Sequence, residues 1–237
     1  MNFVLVPFKT FKNAKTRLRK DLSDLDTEYI VKIMLEDVLE QVSKSKIAEK
    51  KFILTADEEA IKIAKKLNIE ILKEKNQISE SSSVDKASSF LKKEGASGVL
   101  RLPGDIPLVT ASDIESILEV GIKKKSSVLV PSESKTGTNA FYKYPPDVIS
   151  SSFGANSFNK HVESFKNQKI KYEVLEVKNI GLDIDSLEDL KKLKSSMNKC
   201  KTIECIKTLN LLPQEHRVLP WSLNRRHQST AHYRHIC

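Results

Sequence analysis

The chain has 237 residues, 39% of them hydrophobic, which is enough for one large domain with a sizeable core. It carries 40 Lys and Arg against 31 Asp and Glu, for a formal net charge of +9. No apolar run approaches the length of a membrane helix, and the N-terminal segment lacks the small-residue cleavage site of a signal peptide. We therefore expect a cytoplasmic protein with no membrane partner.

Strand-like and helix-like patterns alternate along the chain. The predicted strands are residues 4–6, 51–55, 69–72, 98–102, 127–131, 139–143 and 171–177. The predicted helices are 30–42, 58–67 after an Asp57 cap, 84–93, a segment from Ser112 or Asp113 through Ile122, 157–166, and a final helix from Ser186. This alternation predicts a doubly wound α/β sheet, in which ligands bind beyond the carboxyl ends of the strands.

The composition changes abruptly near Met197. The stretch 199–237 carries seven Lys and Arg against two Glu, together with four of the five histidines and all three cysteines. We predict one domain over 1–197 and a basic tail over 198–237 that is disordered or lies outside the catalytic fold. Nucleic-acid binding through this tail is the alternative from another functional class, and the nearly balanced charge of the body speaks against it.

The tail also holds two pairs of residues that mimic a zinc finger. Cys200 and Cys205 form the first pair, and His227 and His232 form the second. The 21 residues between Cys205 and His227 exceed the usual interval of about 12. An extension without a metal module is therefore the favoured interpretation.

The stretch RLPGDIPLVT, residues 101–110, places Asp105 directly after a predicted strand. Prolines on both sides restrict the backbone, and Gly104 allows unusual dihedrals or a close approach. A plain turn would explain the glycine better than the acid. At the end of a strand, this rigid frame favours a carboxylate that faces a ligand.

A second acidic segment, GLDIDSLEDL at 181–190, follows another predicted strand. The spacing of Asp183 and Asp185 directs both carboxylates to the same side of an extended chain. A hard divalent cation such as Mg²⁺ prefers one or two carboxylates together with substrate phosphates, so Asp105 with Asp183 or Asp185 would suit it. The alternative is that Asp185 or Ser186 caps the last helix with Glu188, which accounts for one acid but not for two.

Basic residues follow the first predicted strand in the segment VPFKTFKNAKTRL. The loop after the first strand of such a sheet is the usual phosphate site, so Lys9, Lys15 and Arg17 are candidates for an anion clamp. Lys12 is interpreted as solvated surface. The chain contains neither GxGxxG nor GxxxxGKS, which argues against a dinucleotide dehydrogenase or a P-loop enzyme.

Taken in order, five motifs resemble the 2-phospho-L-lactate guanylyltransferase family, which acts on phosphoenolpyruvate in some lineages. They are VPFK with AKTRL, PGDIPL, KTGTNAF, FGANSFNKH and LDIDSLEDL, and the resemblance covers roughly 1–195. It implies a three-layer, Rossmann-like mixed sheet of the nucleotide-diphospho-sugar transferase type. It also implies transfer of GMP from GTP to 2-phospho-L-lactate or phosphoenolpyruvate with release of diphosphate, in biosynthesis of the deazaflavin coenzyme F-420.

The resemblance further implies roles for individual residues. The implied metal ligands are Asp105, Asp183 and Asp185, and the residues implied to bind the phosphorylated acid are Thr138, Gly154 and Ser157. A phosphate monoester is already mostly dianionic at pH 7 and can attack without a protein base. His161, the only histidine before the tail, is therefore interpreted as structural or peripheral.

The chain differs from the family at one position that contacts nucleotide. Where the family usually has a Leu-Asn pair, this chain has Val84 and Asp85. A related nucleotidyltransferase with another acceptor, such as 3-phosphoglycerate or a molybdopterin-like compound, therefore stays an alternative. The sequence is compatible with either a monomer or a homodimer.

Overall fold

A computed structural model describes residues 1–12, 14–74 and 78–209. Its strands are β1 (Asn2–Pro7), β2 (Lys50–Thr55), β3 (Glu70–Lys73), β4 (Gly98–Arg101), β5 (Ser127–Pro131), β6 (Thr138–Lys143) and β7 (Tyr172–Val174). Its α-helices are α1 (Asp24–Lys44), α2 (Glu58–Lys66), α3 (Glu80–Lys93), α4 (Ala111–Lys124), α5 (Ser157–Asn167), α6 (Lys178–Gly181), α7 (Leu187–Lys194) and α8 (Lys201–Thr208). None of the helices in these ranges is both long and apolar enough to cross a bilayer.

The strands form one mixed sheet of seven in the order β3-β2-β1-β4-β6-β5-β7. β1 lies between β2 and β4 and is parallel to both. β6 runs antiparallel to both of its neighbours, β4 and β5. The carboxyl ends of β1 and β4 therefore meet at one edge of the sheet, while β6 begins where its antiparallel neighbour β4 ends.

Side chains that alternate along β1 separate the core into two layers. Val4 and Val6 pack in a cluster with residues of α1, α2, α4, α7 and α8. Phe3 and Leu5 face the other side, where they pack with residues of α3. Because neighbouring strand residues point to opposite faces, helices cover both sides of the sheet. The predicted three-layer α/β fold is confirmed.

Helix starts follow local capping chemistry. Asp57 caps α2, as predicted, by accepting hydrogen bonds from two backbone N–H groups of its first turn. The predicted start of α4 at Ser112 or Asp113 is wrong, because Thr110 is the N-cap and Asp113 closes a capping box with it.

The end of the fold lies beyond the predicted boundary at 197. Thr202, Ile203 and Ile206 of α8 are buried against the main core. Asp37 of α1 accepts hydrogen bonds from the Lys201 N–H (3.1 Å), the Thr202 N–H (2.8 Å) and the Thr202 hydroxyl (2.6 Å). The expectation that residues 198–209 lie outside the fold is therefore wrong, since an apolar helix face and a buried carboxylate attach them to α1. The remainder of the predicted tail lies outside the described residues.

Candidate functional site

A cleft of about 590 Å³ opens at the carboxyl ends of β1 and β4. It contains five of the predicted site residues, namely Lys9, Lys15, Arg17, Asp105 and Asp185, together with Lys12, Glu80, Arg101, Pro103 and Gly104. A larger depression of about 750 Å³ near the end of β5 contains none of the predicted site residues. The first cleft is therefore the candidate site.

The loop after β1 carries the basic residues of this cleft and is fixed at two points. The second carboxylate oxygen of Asp57, the α2 cap, accepts a hydrogen bond from the Phe11 N–H (3.2 Å). The Arg19 guanidinium donates to the Ala14 carbonyl (2.7 Å) and the Phe11 carbonyl (3.0 Å). Arg19 therefore stabilises the loop through its backbone, which leaves the exposed side chains of Lys9 and Arg17 open to the cleft.

One backbone hydrogen bond joins the two acidic segments. The Ile184 N–H donates to the Asp105 carbonyl (3.0 Å), which brings Asp105 beside the residues that flank Ile184. Ser186 caps α7 and forms a capping box with Asp189. The alternative interpretation was therefore right that Ser186 caps the helix, but wrong about Glu188, because Asp189 completes the box. Neither Asp183 nor Asp185 is the cap.

The rigid frame around Asp105 also has a packing function. A Cβ atom on Gly104 would lie 3.0 Å from a methyl group of Leu35 on α1. That distance is tighter than an ordinary contact, so glycine lets the turn pack closely on the helix. Asp105 is thereby held at the edge of the sheet with 25% of its side chain exposed.

Lys15 lies between two carboxylates in the cleft. Its ammonium donates to Asp105 Oδ2 and to Asp185 Oδ1, and only 12% of its side chain is exposed. Burial alone would lower the pKa of Lys15, but the two neighbouring carboxylates outweigh burial and raise that pKa above its usual value. Lys15 therefore stays charged throughout the physiological pH range. Asp105 and Asp185 are called the acid pair below.

The acid pair is suited to a divalent cation. Asp105 Oδ1 is buried and has no hydrogen-bond partner, so a lone pair on this oxygen is uncompensated. Asp183 is half-buried, and its Oδ1 accepts a hydrogen bond from the Asn139 amide (3.1 Å). Burial and the nearby charge of Asp105 raise the pKa of Asp183. Within the described ranges, no three His, Cys, Asp or Glu side chains are grouped closely enough to form a preassembled metal site.

The residues predicted to bind the phosphorylated acid lie near the start of β6 and α5, outside the cleft lining. Gly154 is exposed with φ = +105°, and space is open beside its Cα. Thr138 and Ser157 are buried, and the Thr138 N–H donates to Ser157 Oγ (2.8 Å). Thr138, Ser157 and His161 are called the buried polar cluster below.

The hydrogen bonds of His161 determine its tautomer. Nε2 lies 2.8 Å from the Ser152 N–H and must accept from it, because a backbone N–H can only donate. The ring proton is therefore on Nδ1 and is donated to Thr138 Oγ1 (2.9 Å). The Thr138 hydroxyl keeps its own proton for another acceptor. Burial, with the charges of Lys143 and Arg101, lowers the pKa of His161 to about 4.

Asp85 makes an internal ion pair. Its carboxylate accepts hydrogen bonds from the buried Lys143 ammonium (2.7 Å) and from the Ser151 N–H (2.9 Å) and hydroxyl (2.6 Å). Burial lowers the pKa of Lys143, while the charge of Asp85 opposes this effect. Asp85 therefore anchors the segment at Ser151 and is not part of the cleft lining.

Arg101 is a cleft residue that the sequence analysis missed. It is almost fully buried, pairs with Glu80, and donates weakly to the carbonyls of Thr138 (3.4 Å) and Asn139 (3.3 Å). Its guanidinium lies 4.2 Å from the centroid of the Phe153 ring. Arg101 thus connects the cleft to the segment that precedes α5. The available signal was an arginine at the end of a strand that is otherwise apolar.

Of the two residue pairs that mimic a zinc finger, only Cys200 and Cys205 lie within the described residues. Cys205 is buried and Cys200 half-buried, and burial raises the pKa of each thiol to about 11. His227 and His232 lie outside the described residues.

The chain is similar to two relatives of known name. It is 28% identical to the 2-phospho-L-lactate guanylyltransferase of Methanobrevibacter smithii, over 87% of this chain and 90% of the relative. It is also 28% identical to the phosphoenolpyruvate guanylyltransferase of Rubrobacter xylanophilus, over 82% of this chain and 94% of the relative.

Solved structures and a family model agree with these similarities. A nucleotide-diphospho-sugar transferase fold from Desulfovibrio desulfuricans G20 superposes with a TM-score of 0.72 at 16% identity, covering 87% of this chain and 94% of that one. A cytidylyltransferase from Leptospira borgpetersenii superposes with a TM-score of 0.58 at 15% identity, covering 98% and 99%. The fold is thus of the nucleotide-diphospho-sugar transferase type. Residues 2–218 match the model of the guanylyl transferase CofC-like family, and the chain belongs to that family of nucleotidyltransferases.

Proposed function

We propose that this protein transfers GMP from GTP to a phosphorylated three-carbon acid, 2-phospho-L-lactate or phosphoenolpyruvate, and releases diphosphate. The observation that carries the proposal is the convergence of Lys15 and the acid pair in one cleft at the carboxyl ends of β1 and β4, in a chain of the guanylyl transferase family. The names of the two relatives support the two acceptors. The step would belong to the biosynthesis of coenzyme F-420.

Mg²⁺ fits the acid pair, which would hold it with Asp183 as a further acid nearby. The support is the uncompensated Oδ1 of Asp105 and the half-exposed carboxylate of Asp185. When bound, Mg²⁺ would neutralise and orient the phosphates of the nucleotide. Lys9 and Arg17, exposed at the mouth of the same cleft, would bind the remaining phosphate charge.

The buried polar cluster and Gly154 would bind the acceptor. Thr138 and Ser157 each accept one hydrogen bond within the cluster, so each hydroxyl keeps a proton to donate to a phosphate or carboxylate oxygen. The open space and the left-handed backbone at Gly154 would let an anion approach the chain closely.

The chemistry then needs positioning more than acid–base catalysis. A phosphate oxygen of the acceptor forms a bond to the α-phosphorus of GTP, the bond from that phosphorus to the bridging oxygen breaks, and diphosphate leaves. The attacking dianion carries no proton that a base must remove. His161 is unsuited to act as a base because both of its ring nitrogens are hydrogen-bonded inside the protein.

Measuring diphosphate release from four nucleoside triphosphates against 2-phospho-L-lactate, phosphoenolpyruvate and 3-phosphoglycerate tests the proposal. We expect release with GTP together with 2-phospho-L-lactate or phosphoenolpyruvate, and little release with ATP, CTP or UTP. Reactions without acceptor control for hydrolysis. Turnover only with 3-phosphoglycerate, or a preference for another base, would contradict the proposal and support a related nucleotidyltransferase.

A further inference from the structure

Lys15 occupies the position between the two carboxylates that are proposed to hold the metal. Its ammonium donates to one oxygen of each acid, and these acids come from segments that are far apart in the chain. An ammonium and a divalent cation cannot both occupy this position, because like charges at contact distance repel strongly. The acid pair can therefore bind either Lys15 or a metal ion, but not both in this arrangement.

One positive charge does not satisfy the acid pair fully. Two carboxylates face a single ammonium, and Asp105 Oδ1 is buried without any hydrogen-bond partner. A buried oxygen in that state is costly, and a divalent cation would compensate it better than Lys15 does. The site therefore favours exchange of a monovalent for a divalent cation, provided that Lys15 finds another anion.

Lys15 has an uncommon backbone conformation and lies on the lining of the cleft. Its φ of +54° lies in the left-handed region, which costs a residue other than glycine conformational energy. Its side chain forms ion pairs with both members of the acid pair. The residue lines the cleft, so an incoming nucleotide phosphate would lie within reach of the released ammonium.

We infer that Lys15 is an internal counter-ion of the acid pair and prevents free metal from binding there. When metal and nucleotide bind together, the Lys15 ammonium moves to the nucleotide phosphates. The identity of the nucleotide in this inference rests on the proposed function. The competition between Lys15 and metal does not. Free metal should bind weakly, because it must displace Lys15 with no new partner for the ammonium. Metal and triphosphate should each strengthen the binding of the other.

Binding of Mn²⁺ to the nucleotide-free protein, followed by electron paramagnetic resonance, tests the competition directly. Lys15→Met removes the ammonium and keeps the length of the side chain, so we expect Mn²⁺ to bind about tenfold more tightly or better than to wild type. Lys12→Met is the matched control, because Lys12 lines the same cleft and makes no ion pair in the described structure. The double variant Lys15→Met with Asp105→Asn should lose the gain.

A second arm adds guanosine α,β-methylene triphosphate, which cannot be cleaved at the reacting bond. This analogue should raise the Mn²⁺ affinity of wild type strongly and that of Lys15→Met much less. Equal Mn²⁺ affinities of folded wild type and Lys15→Met without nucleotide would overturn the inference, and so would an equal gain from the analogue in both.

Should Lys15→Met fail to fold, Lys15→Gln is measured in the same way, because its amide keeps hydrogen bonds to the acids. If the protein did not transfer GMP, the Mn²⁺ binding measured without nucleotide would be unaffected. Only the proposed function would then be contradicted.

Discussion

The acid pair and the buried polar cluster differ in how completely their polar groups are satisfied. Asp105 keeps an oxygen without a partner, and Asp185 has nearly half of its side chain exposed. In the buried polar cluster, Thr138, Ser157 and His161 are almost fully buried and joined by hydrogen bonds of 2.8–2.9 Å. One region holds uncompensated charge, and the other is a hydrogen-bonded network of neutral groups.

This difference predicts which property a substitution in each region will change. An incompletely paired charge gains from a new partner, so ligands can reorganise the acid pair. A hydrogen-bonded network in a low-dielectric interior holds its geometry, because each broken bond leaves a buried group unpaired. Substitutions in the acid pair should therefore affect rate more than stability, and those in the cluster should affect stability or one substrate.

The largest effect is expected from Asp105→Asn. The substitution keeps the size of the side chain but removes charge that is proposed to hold the metal, so kcat should fall by about 10²- to 10³-fold. The melting temperature should change little. Turnover against Mg²⁺ concentration and thermal unfolding are measured in parallel.

Asp147→Asn is the matched control for loss of a carboxylate, because Asp147 pairs with Lys92 at the surface. It should keep wild-type turnover. Near-normal turnover of Asp105→Asn at low Mg²⁺, or unfolding of the variant, would mean that Asp105 is a turn residue. The acid pair would then not differ from the buried polar cluster in the way described.

The next effect concerns pH and His161. Its pKa is about 4 in the folded protein against an ordinary 6.5, so the unfolded chain binds more protons between these values. Neutral His161 contributes its full stability above pH 6.5. This contribution is lost as the pH falls from 6.5 through 4, and the loss at pH 4.5 is about 2–3 kcal/mol.

His161→Phe removes this titration and keeps a ring between Phe141 and Phe153. The variant should be less stable than wild type at pH 7, since it leaves the Ser152 N–H and the Thr138 hydroxyl without their partner, and the difference should shrink by pH 4.5. Urea unfolding at both pH values measures it. A difference that stays constant with pH would show that His161 is not held neutral by the fold.

The smallest effect is expected from Thr138→Val, which removes one hydroxyl from the buried polar cluster. The KM of the acceptor should rise about tenfold, the value of one lost hydrogen bond to a charged group, while the KM of GTP stays the same. Thr138→Ser keeps the hydroxyl and should bind acceptor almost normally. Equal changes in both KM values would place the acceptor elsewhere.

Much of the fold was predictable because its signals are local. The buried strand 4–6, the Asp57 cap and the helical stripe at 30–42 each depend on neighbouring residues alone. The start of α4 was misplaced although Thr110 and Asp113 have the spacing of a capping box. Local rules thus found the elements and were less accurate at their ends.

The acids of the site were predictable from the sequence, whereas their ion-pair partners were not. Asp105 and Asp185 stand out beside strand ends, but nothing near Lys15 in the chain indicates that its ammonium contacts both of them. Arg101 and Lys143 were hidden for the same reason, because each is a single charge in an apolar strand. Their partners, Glu80 and Asp85, come from another element and are known only from the folded chain.

The attachment of α8 to α1 also constrains the order in which this chain can complete its fold. Asp37 emerges early in synthesis, whereas its partners Lys201 and Thr202 follow more than 160 residues later. Until then the surface of α1 that α8 covers, and the carboxylate of Asp37, have no native cover. Contacts between such distant residues form slowly, and uncovered apolar surface promotes association. The nascent chain therefore passes through a long interval in which α1 has been made and its α8-covered surface is still open to other proteins, and only the last part of this interval follows the synthesis of β7.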